Sequence, residues 1–355
     1  RVIASFSVQG IFSHAQRRSQ WCPLSTAAAM LIKTPVSVAR LVALSLSLFT
    51  WTIHAFDLQA HRGGRGLAPE NTLSAFENAL NIGVTTLELD VGLTSDGVVV
   101  ISHDPYLNPA LTRDAQGQWL SPGKGPLIKD LTLGELQSYD VGRIQPASAY
   151  AKTFDQQQPR DGERVPTLAA LFDLVKSKGA SEVRFNIETK LFPPRPHETA
   201  PPEVLTRALL SVIEQSGMSK RVSIQSFDWR SLQLVQKWAK DIPTVYLTTQ
   251  SAANNNLMDG LWTTGLTLAQ FESPAHVVKA AGGEIWSPNF NNLTEASLAQ
   301  ARLLGLQVIP WTVNAETDLK KMLDWQVDGI ITDYPNRLRD LMHERGLPLP
   351  KGLKN

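Results

Sequence analysis

The feature of this chain that most constrains its fold is a regular alternation of short apolar segments with longer amphipathic ones. Eight segments of four to six residues are rich in β-forming side chains, and a helical segment follows most of them. Repeated strand–helix units of this length favour a parallel sheet with helices packed outside it. The sequence therefore predicts an α/β fold, a closed (β/α)8 barrel of the TIM type, with a doubly wound open sheet as the alternative. The predicted strands are Phe56–Ala60, Leu87–Val91, Val183–Glu188, Val222–Ser226, Thr244–Leu247, Glu284–Ser287, Gln307–Thr312 and Gly329–Thr332.

The predicted helices have ends that can be recognised from residue type. The helix Thr72–Asn81 has Asn71 or Thr72 as its N-cap, and Gly83 lies just beyond its C-terminus. Residues of these types satisfy the backbone groups that a helix leaves unpaired at its ends. Further helices are predicted over Thr167–Lys178, Ser231–Lys240 and Glu295–Leu304.

Residues 105–166 break the alternation. They contain scattered proline and glycine and one short predicted helix near Thr132–Ser138, where Thr132 and Glu135 form a capping-box pattern. We interpret this block as a small insertion after the second barrel strand, lying over the site, and not as a separate domain.

Polar side chains gather around the end of the second predicted strand. Glu88 and Asp90 are two residues apart in a strand, so they share a face. Two neighbouring carboxylates repel each other unless a cation or a shared proton lies between them. A turn at residues 95–97 leads into a return strand and places His103 roughly opposite Glu88. Taken singly, each of these residues is more often an ordinary solvated side chain than part of a site.

Similar polar residues end the neighbouring strands. His61 ends the first predicted strand, and Glu188 and Lys190 end the third, again two residues apart. In a (β/α)8 barrel the chemistry gathers at the carboxyl ends of the strands. The sequence thus predicts that these side chains meet at one end of the barrel.

Four short motifs stand in this region in a fixed order: His61-Arg62-Gly63, Pro69-Glu70-Asn71-Thr72, Glu88-Leu89-Asp90 and His103-Asp104. Three more follow: Gln225-Ser226-Phe227, Trp311-Thr312-Val313-Asn314 and Thr332-Asp333-Tyr334-Pro335. Together they resemble the signature of the glycerophosphodiester phosphodiesterase family, in its exported bacterial form. The resemblance runs from about Ala60 to about Leu341, and it implies the same barrel fold.

The resemblance also implies roles for individual residues. Glu188 would join Glu88 and Asp90 as the third metal carboxylate, and Lys190 would contact phosphate. Three carboxylates form a hard oxygen site that suits one divalent cation, Ca²⁺ or Mg²⁺, and that is poor for Zn²⁺.

The implied activity is metal-dependent hydrolysis of glycerophosphodiesters to glycerol 3-phosphate and an alcohol. His61 and His103 would act as the acid–base pair, while Arg62 and Lys190 would neutralise the phosphate. Trp311 would wall the pocket, although ordinary core packing is the alternative, and Asp333 would bond a neighbouring loop. Two other functions stay open: a phospholipase D-like barrel enzyme acting on lysophospholipids or sphingomyelin, and a glycerophosphodiester-binding protein without turnover.

Two loops have no assigned purpose. The segment Phe192–Pro202 contains five prolines directly after the third strand, which predicts a stiff loop at the mouth of the site. His197 within it could be a further acid–base group, but an isolated loop histidine is usually solvated. A second polar loop contains Asn254–Asn256 and Trp262.

The first 55 residues contain five basic side chains and no acidic ones. From Met30 onward, two basic residues precede a short apolar run, and Ala55 closes a small-residue cleavage site, a pattern typical of a secretory signal. We predict that residues 1–29 are upstream sequence, that residues 30–55 are a signal peptide, and that residues 56–355 form an exported barrel domain, periplasmic or secreted. An uncleaved membrane anchor is the alternative, but the apolar run is short for a bilayer span.

Removal of that leader changes the composition. The formal charge falls from +1 to −4, since five basic residues leave and no acidic residue does. A surface without a basic stripe argues against nucleic acid as a partner. The only cysteine, Cys22, also leaves, so no disulfide or thiol chemistry is expected. The expected partner is a small glycerophosphodiester, with no stable membrane span after cleavage.

Overall fold

The computed structural model describes residues 56–353, so the predicted signal peptide and the sequence before it lie outside the described residues. Within that range nine strands form one sheet, in which eight run parallel and β3 pairs antiparallel with β2 alone. The strands are β1 Asp57–Ala60, β2 Thr86–Leu93, β3 Val99–Ile101, β4 Arg184–Thr189, β5 Val222–Ser226, β6 Thr244–Thr248, β7 Ile285–Pro288, β8 Gln307–Val308 and β9 Gly329–Thr332.

The sheet closes on itself. Its hydrogen-bonded order is β8-β7-β6-β5-β4-β2-β1-β9, and two backbone bonds of 3.0 Å, Asp328 N to Val308 O and Ile331 N to Pro310 O, join its two ends. This confirms the predicted barrel and excludes the open sheet. The predicted strand Gln307–Thr312 is regular only over its first two residues, because Pro310 has no N–H to donate to a ladder.

Helices cover the outside of the barrel. The helices of the described range are α1 Leu73–Ile82, α2 Leu133–Leu136, α3 Ala149–Thr153, α4 Leu168–Ser177, α5 Pro202–Gln215, α6 Trp229–Trp238, α7 Pro274–Ala280, α8 Glu295–Leu303, α9 Glu316–Asp324 and α10 Pro335–Glu344. Of these, α2 and α3 belong to the segment between β3 and α4, and the others pack around the barrel. The N-cap of α1 is Thr72, one of the two predicted candidates, and Gly83 ends it with φ +87°. Helix α6 begins two residues before its prediction, since Asp228 caps it. Of the helices in the described range, none is long and apolar enough to cross a membrane.

The strand alternation separates apolar from polar side chains. Leu87 and Leu89 of β2 pack in the core between barrel and helices, whereas Glu88 between them accepts a bond from Gln225 of β5. A chain of side-chain amides continues below it: Asn186 Nδ2 donates to Gln225 Oε1 and to Gln59 Oε1, both at 2.9 Å. The barrel interior therefore carries a hydrogen-bonded ladder that ends at a predicted site residue.

The insertion between β3 and α4 has a small core of its own. Val100, Leu107, Ile128, Leu136 and Val165 form a buried cluster separate from the main one. The capping box predicted for its first helix is present, because the Thr132 and Glu135 side chains each accept the other's backbone N–H. The insertion is thus an ordered structure beside the barrel.

Candidate active site

His61 is held by a carboxylate from the far end of the chain. It follows β1 in a turn that Gly63 makes possible, because Gly63 has φ +80° and a Cβ there would lie 2.9 Å from the Cβ of Ala75. Nδ1 of His61 lies 2.5 Å from Oδ1 of Asp333, which follows β9 and is 1% exposed. An ionised carboxylate only accepts hydrogen bonds, so we assign the proton of neutral His61 to Nδ1, which leaves Nε2 free. Burial lowers the pKa of His61 to about 4, and Asp333 opposes that shift.

Asp333 uses both of its oxygens. Oδ1 also accepts from Arg65 Nε at 2.7 Å, and Oδ2 accepts from Asn314 Nδ2 at 2.6 Å. Burial alone would raise the pKa of Asp333, but His61 and Arg65 hold it well below its usual range. Asp333 therefore bonds two neighbouring loops, through Arg65 and Asn314, and it also fixes the orientation of the His61 ring.

The second histidine has a carboxylate partner of its own. His103 Nδ1 lies 2.9 Å from Asp104 Oδ1, and Asp104 Oδ2 accepts from Asn108 Nδ2 at 2.8 Å. This pair is more open than the first, since its side chains are 31% and 25% exposed. Burial and the nearby cations of Arg62 and Lys190 lower the pKa of His103. Two histidines, each with a carboxylate on Nδ1, therefore belong to the site.

The hairpin brings His103 to the carboxylates. β2 and β3 pair Val91 with Ile101, and the N–H of Ser102 still donates to the carbonyl of Asp90 at 3.0 Å. Extension of this register sets His103 opposite Leu89, one residue from the predicted position. Counting residues across the turn therefore predicted the right part of β2 for His103, but the predicted pairing differs from the observed register by one residue.

Three carboxylates meet beside the histidines. One oxygen from each of Glu88, Asp90 and Glu188 lies within 4.8 Å of the others, and all three side chains are buried. Burial and the Asp90 charge raise the pKa of Glu88, and burial raises the pKa of Glu188 to about 7. Oδ1 of Asp90 is buried without a hydrogen-bond partner. An orphaned oxygen among mutually repelling carboxylates fits a hard cation, so this triad could bind a divalent metal.

Neighbouring donors direct two of these carboxylates. Gln225 Nε2 donates to Glu88 Oε1 at 2.6 Å, and the backbone N–H of Arg62 donates to Glu88 Oε2 at 2.8 Å. Asn71 Nδ2 donates to Asp90 Oδ2 at 3.0 Å, and Oδ1 is the oxygen of Asp90 that accepts no hydrogen bond. Such supporting bonds fix the positions of the oxygens that could hold a metal.

Two cations stand beside the triad, of which Arg62 is buried and Lys190 is half-buried. Nε of Arg62 lies 3.4 Å from Asp90 Oδ2, and Nζ of Lys190 lies 2.7 Å from Glu188 Oε1 and 3.6 Å from Asp90 Oδ1. Burial alone would raise the pKa of Asp90, but the charges of His103, Lys190 and Arg62 lower it. The predicted phosphate-binding cations therefore lie at the carboxylates, each in ion pairs with them.

The insertion reaches this site through Tyr150 and Phe154. The hydroxyl of Tyr150 in α3 donates to Glu70, whose other oxygen accepts from Arg62 Nη1 at 2.9 Å. The same hydroxyl accepts from Arg65 Nη1 at 3.0 Å, and the Arg65 guanidinium stacks 4.7 Å from the centre of the Phe154 ring. The insertion thus braces both arginines of the site.

These groups line one pocket at the carboxyl ends of the strands. The rings of Trp311 and Phe227 form a wall of it, with centres 5.3 Å apart. His197 does not belong to the lining, because it is exposed in a short turn at residues 196–198. Asp90 joins the site through the carboxylate triad, and the other predicted site residues all border the pocket: His61, Arg62, Glu88, His103, Glu188, Lys190 and Trp311.

Several contributors were not predicted as such, and Arg65, which lines the pocket and donates to Asp333, is one of them. Asn71, Gln225 and Asp333 stand within the quoted motifs, so their positions were marked although their partners were not. Tyr150 lies in the insertion, and no local pattern distinguishes it from other surface tyrosines.

Comparison with known proteins agrees with this geometry. The model of the Glycerophosphoryl diester phosphodiesterase family matches residues 61–337. A glycerophosphodiester phosphodiesterase from Caldanaerobacter subterraneus subsp. tengcongensis is 30% identical over 291 residues, covering 81% of this chain and 98% of the relative.

Solved structures agree as well. A Silicibacter pomeroyi structure, provisionally described as a glycerophosphoryl diester phosphodiesterase, is 35% identical with a TM-score of 0.75 and covers 83% of this chain and 95% of its own. An Oleispira antarctica phosphodiesterase, solved with the product sn-glycerol-3-phosphate, shares the fold at 22% identity and a TM-score of 0.60, covering 80% and 96% of the two chains. The chain therefore belongs to the glycerophosphoryl diester phosphodiesterase family, and it is an enzyme of that class.

Proposed function

We propose that this enzyme hydrolyses glycerophosphodiesters to glycerol 3-phosphate and an alcohol, and that it uses one divalent cation, Ca²⁺ or Mg²⁺. The observation that carries the proposal is a pocket shared by two carboxylate-bonded histidines and a buried acidic triad. The family, and the glycerol 3-phosphate bound in the Oleispira structure, support the same product.

Glu88, Asp90 and Glu188 would hold the cation. A set of carboxylate oxygens suits Ca²⁺ or Mg²⁺ better than Zn²⁺. When bound, the ion would supply Lewis-acid stabilisation of negative charge on the reacting phosphoryl group. The protein contributes a set of ligands that Asn71 and Gln225 already direct.

Arg62 and Lys190 would neutralise the phosphate and stabilise charge in the transition state. Both lie beside the triad, and Glu70 holds the Arg62 guanidinium in a bond of 2.9 Å. Charges fixed in advance cost little reorganisation when the reaction occurs. Trp311 would pack against the carbon skeleton of the glycerol or of the leaving alcohol.

We propose that His61 and His103 move the protons. Both pKa values lie below the ordinary range, and an anionic phosphodiester nearby would raise the pKa of a neighbouring histidine so that it can hold a proton. One histidine takes the proton of the glycerol 2-hydroxyl as that oxygen bonds to phosphorus, and the other protonates the alcohol as its P–O bond breaks. Water then opens the cyclic glycerophosphate with the two roles reversed, which yields glycerol 3-phosphate.

The 2-hydroxyl is the preferred nucleophile because it is already placed next to the phosphorus. Well-oriented intramolecular attack corresponds to effective molarities on the order of 10⁵ M or more. Among the described residues the acidic cluster offers ligands for one cation, too few for a two-metal clamp. A substrate without the 2-hydroxyl should bind but react orders of magnitude more slowly, and comparable turnover would mean direct attack by water.

The decisive experiment measures release of glycerol 3-phosphate from glycerophosphodiesters with different head groups. Each reaction is run with a chelator and then with Ca²⁺ or Mg²⁺ added back. Loss of activity on chelation and recovery with one ion are expected, while circular dichroism stays unchanged. Activity that survives exhaustive chelation would refute the role of the triad.

Two other functions are outcomes of the same assay. A phospholipase D-like enzyme would release choline from lysophosphatidylcholine or sphingomyelin while leaving glycerophosphocholine untouched. A binding protein would bind glycerophosphocholine and turn over none of these substrates. Intact His61 and His103, each with its carboxylate partner, favour turnover.

We also propose that the enzyme is exported, to the periplasm or the medium. The support is the charge and apolar pattern of residues 30–55. Amino-terminal sequencing of the protein from an extracytoplasmic fraction should begin at Phe56. A product that retains residues 30–55 would favour the uncleaved membrane anchor.

A further inference from the structure

Three side-chain amides run through the barrel interior, from the catalytic pocket toward the opposite end of the barrel. They belong to Gln225, Asn186 and Gln59, and we name them the amide row. All three residues are 0 to 2% exposed, and the proposed mechanism uses neither Asn186 nor Gln59. Branched apolar side chains usually fill the interior of a (β/α)8 barrel. Apolar side chains of similar shape could replace a bonded polar set at little cost in stability, so packing alone does not account for the row.

A carboxylate stands at each end of the row. At the pocket, Nε2 of Gln225 donates to Oε1 of Glu88 at 2.6 Å. At the opposite end, Nε2 of Gln59 donates to Oδ2 of Asp57 at 3.0 Å. Nη2 of Arg184 lies 3.0 Å from the same Asp57 oxygen and forms an ion pair with it. Because an ionised carboxylate only accepts hydrogen bonds, each end of the row has to supply a donor.

The two ends determine which way the amides point. Each glutamine turns its nitrogen to a carboxylate, so its oxygen faces Asn186. Nδ2 of Asn186 donates to Oε1 of Gln59 and to Oε1 of Gln225, both at 2.9 Å. Oδ1 of Asn186 accepts from the hydroxyl of Ser223 at 3.0 Å. The two ends of an amide have nearly the same shape, so the bonding partners, not packing, select this orientation.

Asn186 therefore reaches a metal ligand through one intermediate side chain. It bonds Gln225, and Gln225 bonds Glu88, which is one of the three carboxylates of the acidic triad. The amide of Gln225 cannot turn over without breaking its bonds on both sides. A buried network in which every group has a partner holds each of its members in one position.

We propose that Asn186 is a positioning residue for the metal site, which holds Gln225 by its oxygen so that the amide nitrogen stays directed at Glu88. Gln59 and Asp57 hold Asn186 in the required orientation from the other end of the barrel. The inference rests on the proposed metal site and adds a support for it that lies inside the barrel. Groups that support a ligand in this way raise the affinity for the metal.

The test measures the affinity for Ca²⁺ and Mg²⁺ by calorimetry. Asn186→Leu keeps a similar volume and removes both donors. It should weaken the affinity about 3- to 10-fold, which corresponds to the loss of one neutral hydrogen bond. Ser223→Ala is the matched control, because it removes the bond at Oδ1 of Asn186 and leaves both donors in place. It should leave the affinity unchanged. Wild-type affinity in Asn186→Leu, or an equal loss in Ser223→Ala, would overturn the inference.

A double-mutant cycle separates positioning from a general effect on the fold. In the Gln225→Ala background, Asn186→Leu should not weaken metal affinity further, because the side chain through which it acts is gone. The same loss in both backgrounds would mean that Asn186 does not act through Gln225, and the inference would fall. Thermal unfolding of each variant reports the loss of stability separately, and a lower Tm with wild-type affinity is the result that a purely structural role predicts.

Neutron diffraction of the perdeuterated, metal-free wild type tests the direction of the row even if Asn186→Leu does not fold. Deuterons distinguish the nitrogen of an amide from its oxygen. We expect the deuterons of Asn186 to point at both glutamine oxygens, and the nitrogen of Gln225 to face Glu88. An oxygen of Gln225 facing Glu88 would overturn the inference.

The two proposals fail in different ways. A wild type that binds neither cation refutes the proposed metal site and the role of the amide row together. Normal binding by the wild type without any loss in Asn186→Leu overturns the role of the row alone, while the proposed function stands.

Discussion

Replacement of Asp333 by asparagine should remove most of the catalytic rate while leaving the metal site intact. Asp333 accepts three bonds of 2.5 to 2.7 Å, from His61, Arg65 and Asn314. An asparagine side chain has the same shape as aspartate, but its amide nitrogen is a hydrogen-bond donor. In one orientation this nitrogen faces the donor Asn314, and in the other it faces the donors His61 and Arg65. If the amide nitrogen turns toward Asn314, His61 keeps a neutral acceptor and loses the charge that stabilises its protonated form.

The magnitude follows from these contacts. A hydrogen bond to a charged group contributes about 1.5–3 kcal/mol, and an unmatched buried donor costs about 1–3 kcal/mol. The introduced amide would still be able to accept from Nδ1 of His61, so kcat should fall about 10²- to 10³-fold, which corresponds to about 2.7–4 kcal/mol. KM should change little, because Asp333 is not among the residues proposed to hold phosphate or metal. Arg65 also loses the negative charge with which it pairs, so the free energy of unfolding should fall as well.

The pH dependence of kcat/KM distinguishes an effect of Asp333 on His61 from a purely structural role, which would leave that dependence unchanged. The Asp333 charge raises the pKa of His61 against the lowering effect of burial. Its removal lowers that pKa further, so the limb of the kcat/KM profile that belongs to His61 should move to lower pH, whichever way His61 transfers its proton. Asp104→Asn is the matched variant, and its effect should be smaller because the His103 pair is more exposed.

A double-mutant cycle decides whether Asp333 acts through His61. In the His61→Ala background, Asp333→Asn should lower the residual rate by less than about threefold, since residues that act as a unit are not additive. If it lowers that rate by the same factor as in the wild type, Asp333 does not act through His61 and the reasoning is wrong. Thermal unfolding of each variant controls for loss of folded protein.

Three further predictions concern the metal and its surroundings. Gln225→Ala should weaken metal affinity, measured by calorimetry, about 10- to 100-fold, because Glu88 loses the donor that orients its carboxylate. Unchanged affinity would contradict this role of Gln225. Metal affinity should fall as the pH drops below about 7, because burial raises the pKa of Glu188 to about 7 and a proton then competes with the cation. Titrations in two buffers of different ionisation enthalpy should detect the released protons, and a pH-independent affinity between about pH 6 and 8 would refute this. Tyr150→Phe should raise KM several-fold with metal affinity unchanged, since Glu70 loses the partner that helps it hold Arg62; a lower kcat at constant KM would speak against it.

Local rules were enough for much of the fold and for the central residues of the site. The two-residue period of a strand alone placed Glu88 beside Asp90, and the burial of Leu87 and Leu89 on the opposite side confirms it. Helix ends could be predicted from residue type because a capping side chain bonds a backbone group within one turn, as Thr72 does at the start of α1. The prediction was weakest where one residue changes hydrogen bonding, as Pro310 does by ending β8 early.

The sequence by itself therefore determined which side chains would stand at strand ends, because periodicity, caps and turns act over a few neighbouring residues. Only the closed barrel decided which of them touch. Asp333 reaches His61 across 272 residues, and Gln225 reaches Glu88 across 137. The contact between Phe192 and Trp262 likewise depends on how two loops come together. No local pattern encodes such pairs, because their distance is set by the curvature and register of the whole sheet, to which every strand contributes.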